Sequence, residues 1–335
     1  MGKLALTIAT WDYDRVRPLI DGRVRVEGCD INFIKVPPEE CFHRAWNHQE
    51  FDITEIGLSG YIIGVSRGSG RYGESPYVAI PAFLSRSFRC SGIYIRTDRG
   101  IDSPLDLRGK RIGVPEYQIT AAVWSRGYLQ DEYGLRVDEM TWFQGAMDDP
   151  GRKDKWPNNL PQGFPLHHLN DGATLNKMFR DGELDALICP RTPSAYGNPG
   201  VPVRRLFEDF ETVEKAYYRK SGIFPIMHPV GIRRDIYEKH PWLAFNVYKA
   251  FCEAKQISQA ELFETAALKI GLPWVVSSAI SAQAVLGPDI FPYGVGASRR
   301  TLEAAVRYSV EQHMAQRKVS VEELFPASTL EDPKT

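Results

Sequence analysis

Short β-rich runs alternate with helix-like segments along nearly the whole chain, and this alternation constrains the fold more than any single motif. The run at residues 3–9, KLALTIA, reads as a strand, and WDYDRVRPLIDG after it as a loop entering a short helix. VRVEGCDINFIKV alternates as a hairpin or bent strand would. In PPEECFHRAWNHQEF, Pro37 and Pro38 precede an acidic first turn, a helix-start signal. FDITEIGLSGYIIGVSRG predicts a strand running into a helix that begins near Ser59 and Gly60. The order implies a mainly parallel sheet with helices on both faces.

The same order begins again at SPLDLRGKRIGVPEYQITAAVW, where a strand, a loop and a helix opening near Thr120 follow one another. MTWFQG supplies a strand, and TLNKMFRDGELDALICPR a helix, a break at Gly182 and another strand. FPIMHPVGIRRDIYEKHPWLAFNVYKAFCEA reads as a strand before a long helix, and helical periodicity dominates from residue 234 to the end. At roughly 150 residues per domain, 335 residues predict two. The expected division is a first lobe of residues 1–97 and 234–335 and a second of residues 98–233. Residues 145–172, rich in Pro, Gly, Asn and Asp, read as a long surface loop.

A content of 43% hydrophobic and 25% charged residues excludes a disordered or fibrous chain. Lys and Arg number 41 against 42 Asp and Glu, so there is no basic field for a phosphate backbone and no nucleic-acid partner is expected. No 18 consecutive residues are apolar and the N-terminus has no signal-peptide pattern, which predicts no membrane partner and a cytoplasmic location. The five cysteines are scattered without CxxC or Cys/His spacing, as expected of buried or half-buried thiols in a reducing compartment. GxSxG, GxGxxG, Walker-type and HExxH patterns are missing, so no cofactor is predicted, with a divalent metal left open.

DLRGKRIGV and the later GELDALICP resemble the pattern of type II periplasmic binding proteins. An ordered set of segments is similar to the 4,5-dihydroxyphthalate decarboxylase family: DYDRVRPLIDGRV, PEECFHRAWNHQEFDITEIGLSGY, VAIPAFLSRSFRCSGIYIRTD, GKRIGVPEYQITAAVW, GIFPIMHPVGIRRDIYEKHPW and KAFCEAK. It spans residues 3 to 326. The resemblance implies an α/β, two-lobed fold with two crossing strands and a ligand cleft between the lobes. It also implies a carboxy-lyase of phthalate catabolism that converts 4,5-dihydroxyphthalate to 3,4-dihydroxybenzoate (protocatechuate) and carbon dioxide. The alternative is a non-catalytic cytoplasmic protein that binds a small aromatic carboxylate.

In such a fold the ligand is expected at strand C-terminal ends and helix N-termini. Ser59 and Thr120, at two helix starts, offer hydroxyls and free backbone N–H groups to a carboxylate, or simply cap their helices. Arg15, Arg86 and Arg191 are candidate carboxylate clamps among arginines that are otherwise surface residues. His228, between Pro225 and Pro229 in an apolar strand, suits proton exchange, against the reading of a satisfied structural histidine. Glu55, ending a strand in FDITEI, is the second catalytic candidate, an acidic residue where ligand hydroxyls would bond. Tyr13 and Tyr117, with Tyr61 and Trp124, offer aromatic faces for a benzene ring, or pack the core. His43 and His48 lie five apart, off the spacing for shared metal ligation, and His167 and His168 are placed on a loop. The apolar C-terminal helices offer surfaces for homo-oligomerisation.

Overall fold

The computed structural model describes residues 2–148, 156–157 and 159–333. Its strands are Leu4–Thr10 (β1), Cys29–Lys35 (β2), Ile53–Glu55 (β3), Tyr77–Arg86 (β4), Ile93–Arg96 (β5), Arg111–Val114 (β6), Thr141–Gln144 (β7), Leu166–His168 (β8), Ala186–Ile188 (β9), Val203–Arg205 (β10) and Ile226–Arg233 (β11). They form two mixed sheets, ordered β2-β1-β3-β11-β4 and β10-β5-β9-β6-β7-β8.

The first unit comprises Met1–Arg86, Ser221–Glu303 and Val319–Thr335. Its β1 runs parallel to β2 and β3, whereas β11 returns antiparallel between β3 and β4. The helix Pro38–His48 starts on its proline with Glu39 and Glu40 in the first turn, where the helix dipole favours negative charge. It buries Cys41, Phe42 and Ala45, and Cys41 packs with Ala9, Val36 and Phe51. The helix Leu58–Ser66 is buried all round, in keeping with its mostly apolar sequence.

The second unit comprises Ser87–Lys220 and Ala304–Lys318. Leu175, Phe179, Leu184 and Leu187 form a core cluster beneath its sheet. Arg126, 1% exposed, is held from within by Gln312 Oε1 at 2.8 Å and the Tyr117 carbonyl at 2.6 Å, with its guanidinium 4.0 Å from the Tyr117 ring centroid. Burial lowers its pKa to about 10, which still leaves a cation at neutral pH. Gln312 also donates to the Val123 carbonyl, so the segment 304–318 is stitched into this unit.

These pairings move the expected boundaries. The division expected at residues 97/98 falls at Arg86/Ser87, because β5 pairs with β9 and β10. The division expected at 233/234 falls at Lys220/Ser221, because β11 pairs with β3 and β4. VRVEGCDINFIKV yields one strand: Cys29 N–H bonds the Val26 carbonyl and Gly28 takes φ +79°, so a turn precedes β2. The long helix after β11 is divided into Arg234–Lys239 and Leu243–Glu261, with Pro241 at the break. Within 145–172, Leu166–His168 adds β8 beside β7, so His167 and His168 lie on a strand. Residues 149–155 and 158 of that predicted loop lie outside the described residues. No helix among the described residues is long and apolar enough to cross a membrane.

Glu214, on the helix Phe210–Ser221, accepts the backbone N–H groups of Cys90 at 3.0 Å and Ser91 at 3.3 Å. Burial outweighs these bonds and lifts its pKa to about 7. The folded state therefore holds a proton that the unfolded chain releases near its ordinary value, and stability falls as pH rises between the two. Thermal unfolding followed from about pH 5 to about pH 7.5 is expected to show this loss in the wild type and not in Glu214→Gln.

Candidate functional site

Three segments of the first unit converge at the C-terminal end of β3. Glu55 is the last residue of β3; Trp11 and Tyr13 follow the end of the neighbouring β1; His228 comes from β11 on the other side. The ladder between β11 and β4 is irregular on both sides of His228, where Pro229 removes a backbone donor. Such an irregularity re-aims a side chain, and here it places the imidazole beside Glu55.

The Glu55 carboxylate is fully buried and collects three donors. The Trp11 N–H reaches Oε1 at 2.5 Å, the Tyr13 hydroxyl reaches Oε2 at 3.0 Å, and His228 Nδ1 lies 2.9 Å from the same Oε2. An ionised carboxylate there makes Nδ1 the protonated nitrogen of His228. The side chain of His228 is 16% exposed, and its Nε2 has no protein partner among the described residues. Phe42 fixes the ring plane by edge contact at 4.7 Å between centroids. Burial, and then the negative charge of Glu55, push the Tyr13 hydroxyl far above its ordinary pKa, so it stays a proton donor. Cys41, beneath β3, bonds Thr54 Oγ1 at 2.9 Å; burial raises its pKa to about 12, which removes it as a nucleophile.

Two guanidinium groups of this unit are each held between aromatic rings. Arg15 lies 4.2 Å from the Tyr13 centroid and 4.3 Å from that of Phe291. Its Nε and Nη2 donate to the Leu84 carbonyl and its Nη1 to Asp14, which leaves one N–H on each terminal nitrogen. Arg86 is 6% exposed between Phe83 and Phe224 and donates to the Phe224 carbonyl and Ser298 Oγ. Phe224 and Phe291 meet edge to face at 5.8 Å, linking the two pairs of rings.

Glu55, His228, Tyr13 and Arg15 of the sequence-based candidates are thus brought together. Arg86 is bound inside the unit by the end of β4. Ser59 sits within the first turn of Leu58–Ser66, 2% exposed, while Gly57 occupies the cap position. Thr120, Tyr117 and Arg191 belong to the second unit. Thr120 opens the helix Thr120–Tyr133, with Ile119 at its cap. Tyr117 is fully buried against Trp142, Phe164 and Arg126, so its ring packs that unit's core. Arg191 is exposed. Tyr61 and Trp124 are buried as well. Sequence reasoning missed the Trp11 N–H, Phe42 and Phe291. Phe42 was marked by its place beside Cys41 and Ala45 on one helix face, whereas nothing local announces Phe291.

No protein-family model matches the chain. It is 40% identical over 334 residues to a 4,5-dihydroxyphthalate decarboxylase of Comamonas testosteroni, covering 100% of both. It is 44% identical over 219 residues to a 4,5-dihydroxyphthalate decarboxylase of Pseudomonas putida, covering 65% of this chain and 83% of that one. Among solved structures it is similar to the periplasmic aliphatic sulphonate binding protein SsuA from Escherichia coli, at 15% identity and TM-score 0.51 over 98% of this chain and 99% of that one. The alkanesulfonate-binding protein SsuA from Xanthomonas axonopodis pv. citri gives 13% identity and TM-score 0.51 over 97% and 99%. The structural likeness shows an α/β, type II periplasmic-binding-protein-like fold. The full-length identity shows that the chain belongs to the 4,5-dihydroxyphthalate decarboxylase family.

Proposed function

We propose that this protein decarboxylates 4,5-dihydroxyphthalate, giving 3,4-dihydroxybenzoate and carbon dioxide as a step of phthalate breakdown. The relatives' shared name supports the substrate, and the buried Glu55–His228 pair carries the chemistry. A hydroxyl para to a carboxylate raises electron density at the carbon bearing that carboxylate. His228, protonated on both nitrogens, donates its Nε2 proton to that ring carbon while the para hydroxyl releases its own proton to water and becomes a dienone oxygen. The bond from the ring to the carboxylate then breaks, its electron pair restores the aromatic ring, and carbon dioxide leaves. The resulting phenolate recovers a proton from water, as does His228.

Within this scheme Glu55 holds Nδ1, fixes the plane of the imidazole and stabilises the imidazolium before transfer. Tyr13 and the Trp11 N–H hold the Glu55 carboxylate in place. Arg15, with rings on both faces and free N–H groups on its edge, takes the carboxylate that is retained. We place the reaction in the cytoplasm, a reading supported by free, buried cysteines at all five positions.

Purified protein is expected to release carbon dioxide from 4,5-dihydroxyphthalate; binding without release is the outcome of a non-catalytic carboxylate binder. His228→Asn is expected to lower kcat by about 10²–10⁴-fold with a much smaller change in KM, measured by product formation. Glu55→Gln is expected to lower stability by about 3 kcal/mol, because three donors lose a buried, charged acceptor. The same change removes the protected Nδ1–H signal of His228 from the proton NMR spectrum, whereas an unchanged signal means that Glu55 does not orient the ring.

A further inference from the structure

Residues 270–288 are the longest stretch of the chain without Asp, Glu, Lys, Arg or His, 19 residues in a sequence that is 25% charged. Apolar runs of this kind belong inside a protein: residues 56–66, which also carry no charge, are buried at every position. The stretch in the first unit at 270–288 is different. Residues 264–274 are exposed without interruption, and the helix Val275–Leu286 that follows buries Val275 and Ala279 alone. Leu268, Ile270, Leu272, Trp274 and Ile280 are five of the ten large apolar side chains exposed among the described residues, with Trp274 72% and Ile280 56% exposed.

Apolar side chains scattered singly over a surface need no explanation, whereas five within 13 residues mark a contact. They leave bare on the order of 500 Å² of apolar surface, more than half of the roughly 800 Å² that each partner gives to a stable dimer. Whatever covers them must be as free of charge as they are. Of the chain outside the described residues, 149–155 carry five charges in seven positions, the wrong chemistry for this surface. A lipid surface is met by a helix with Lys and Arg beside its apolar face, and residues 270–288 hold neither. A second copy of the chain brings the matching surface. A two-fold axis lays a patch against its own image, so that any charge in it faces its like, and here no charge exists to repel. Ser277, Ser281 and Ala284, four and three residues apart and exposed, are small enough to let two such helices approach closely.

We propose that residues 268–286 form the contact between two copies of this chain, with the helix Val275–Leu286 packed on its own image across a two-fold axis and Trp274 covered in the dimer. The proposal does not depend on the decarboxylase reading.

The test is the mass of the full-length protein in solution, measured by sedimentation velocity at micromolar concentration. The wild type is expected at twice the chain mass or a higher even multiple. Ile280→Asp, which sets two carboxylates against each other across the axis, is expected at half the wild-type mass with an unchanged circular dichroism spectrum. Leu105→Asp, at an exposed leucine of the second unit, is expected to keep the wild-type mass. A monomeric wild type, an Ile280→Asp protein of wild-type mass, or a Leu105→Asp protein that dissociates overturns the proposal; a monomeric wild type that binds phosphatidylcholine vesicles does so in favour of a lipid surface. A second readout needs no charged variant. The part of the fluorescence lost in Trp274→Phe is expected to be shielded from acrylamide in the wild type, and quenching as free as that of an exposed indole also overturns the contact.

Discussion

A carboxylate with no exposure to water must be compensated at once or not be ionised at all, and the Glu55 side chain is in that position. Its compensation comes from parts of the chain remote in sequence: Trp11 lies 44 residues before it and His228 173 after it. The sheet order makes this feasible, since β3 runs between β1 and β11 and each neighbour contributes at the end where β3 stops. A slip in the pairing of β11 with β3 removes the imidazole from the carboxylate and leaves Oε2 with Tyr13 alone. Strand register and site electrostatics in this unit are therefore one constraint.

That interdependence explains how much of the molecule was legible in the sequence. Individual strands and helices came through their periodicity, and His228 stood out because two prolines flank a polar ring in an apolar strand. Glu55 was visible as the acidic end of a short strand. Their pairing was not, because an antiparallel return across 173 residues has no local signature; assigning β11 to the second lobe even separated the two. The two helix starts were legible, but their side-chain caps were not, for a different reason. Ser and Thr near a helix start signal a side-chain cap, yet the helices at residues 58 and 120 are entered through Gly57 and Ile119, and neither makes a side-chain cap bond.

The arginines show the same limit from the side of packing. Arg15 and Arg86 are both clamp candidates, and in the fold both are flanked by aromatic rings. What separates them is the acceptors supplied by distant residues. Arg86 meets the carbonyl of Phe224 and the hydroxyl of Ser298, 138 and 212 residues away, whereas Arg15 meets Leu84 and its own neighbour Asp14. Arg86 finds neutral oxygen acceptors and ring faces, as Arg126 does in the second unit through Gln312 and Tyr117. Composition records how many such groups exist and nothing of which acceptors they find.

The placement of Glu55 also bears on whether such a site binds or reacts. For a protein that only captures an anion, arginine N–H groups and helix ends suffice, and a fixed carboxylate nearby is a handicap. Two like charges 6 Å apart repel by about 3 kcal/mol at the effective dielectric of a protein surface, roughly a hundredfold in affinity. Protonated His228 cancels that repulsion, because the imidazolium and carboxylate together are neutral. The pair thus admits an anionic aromatic acid best in the state where Nε2 carries a proton to give, and it loses that advantage once the proton has gone. Binding and proton donation are coupled through one buried charge, an arrangement that serves a reaction consuming a proton at carbon and has no use in simple capture.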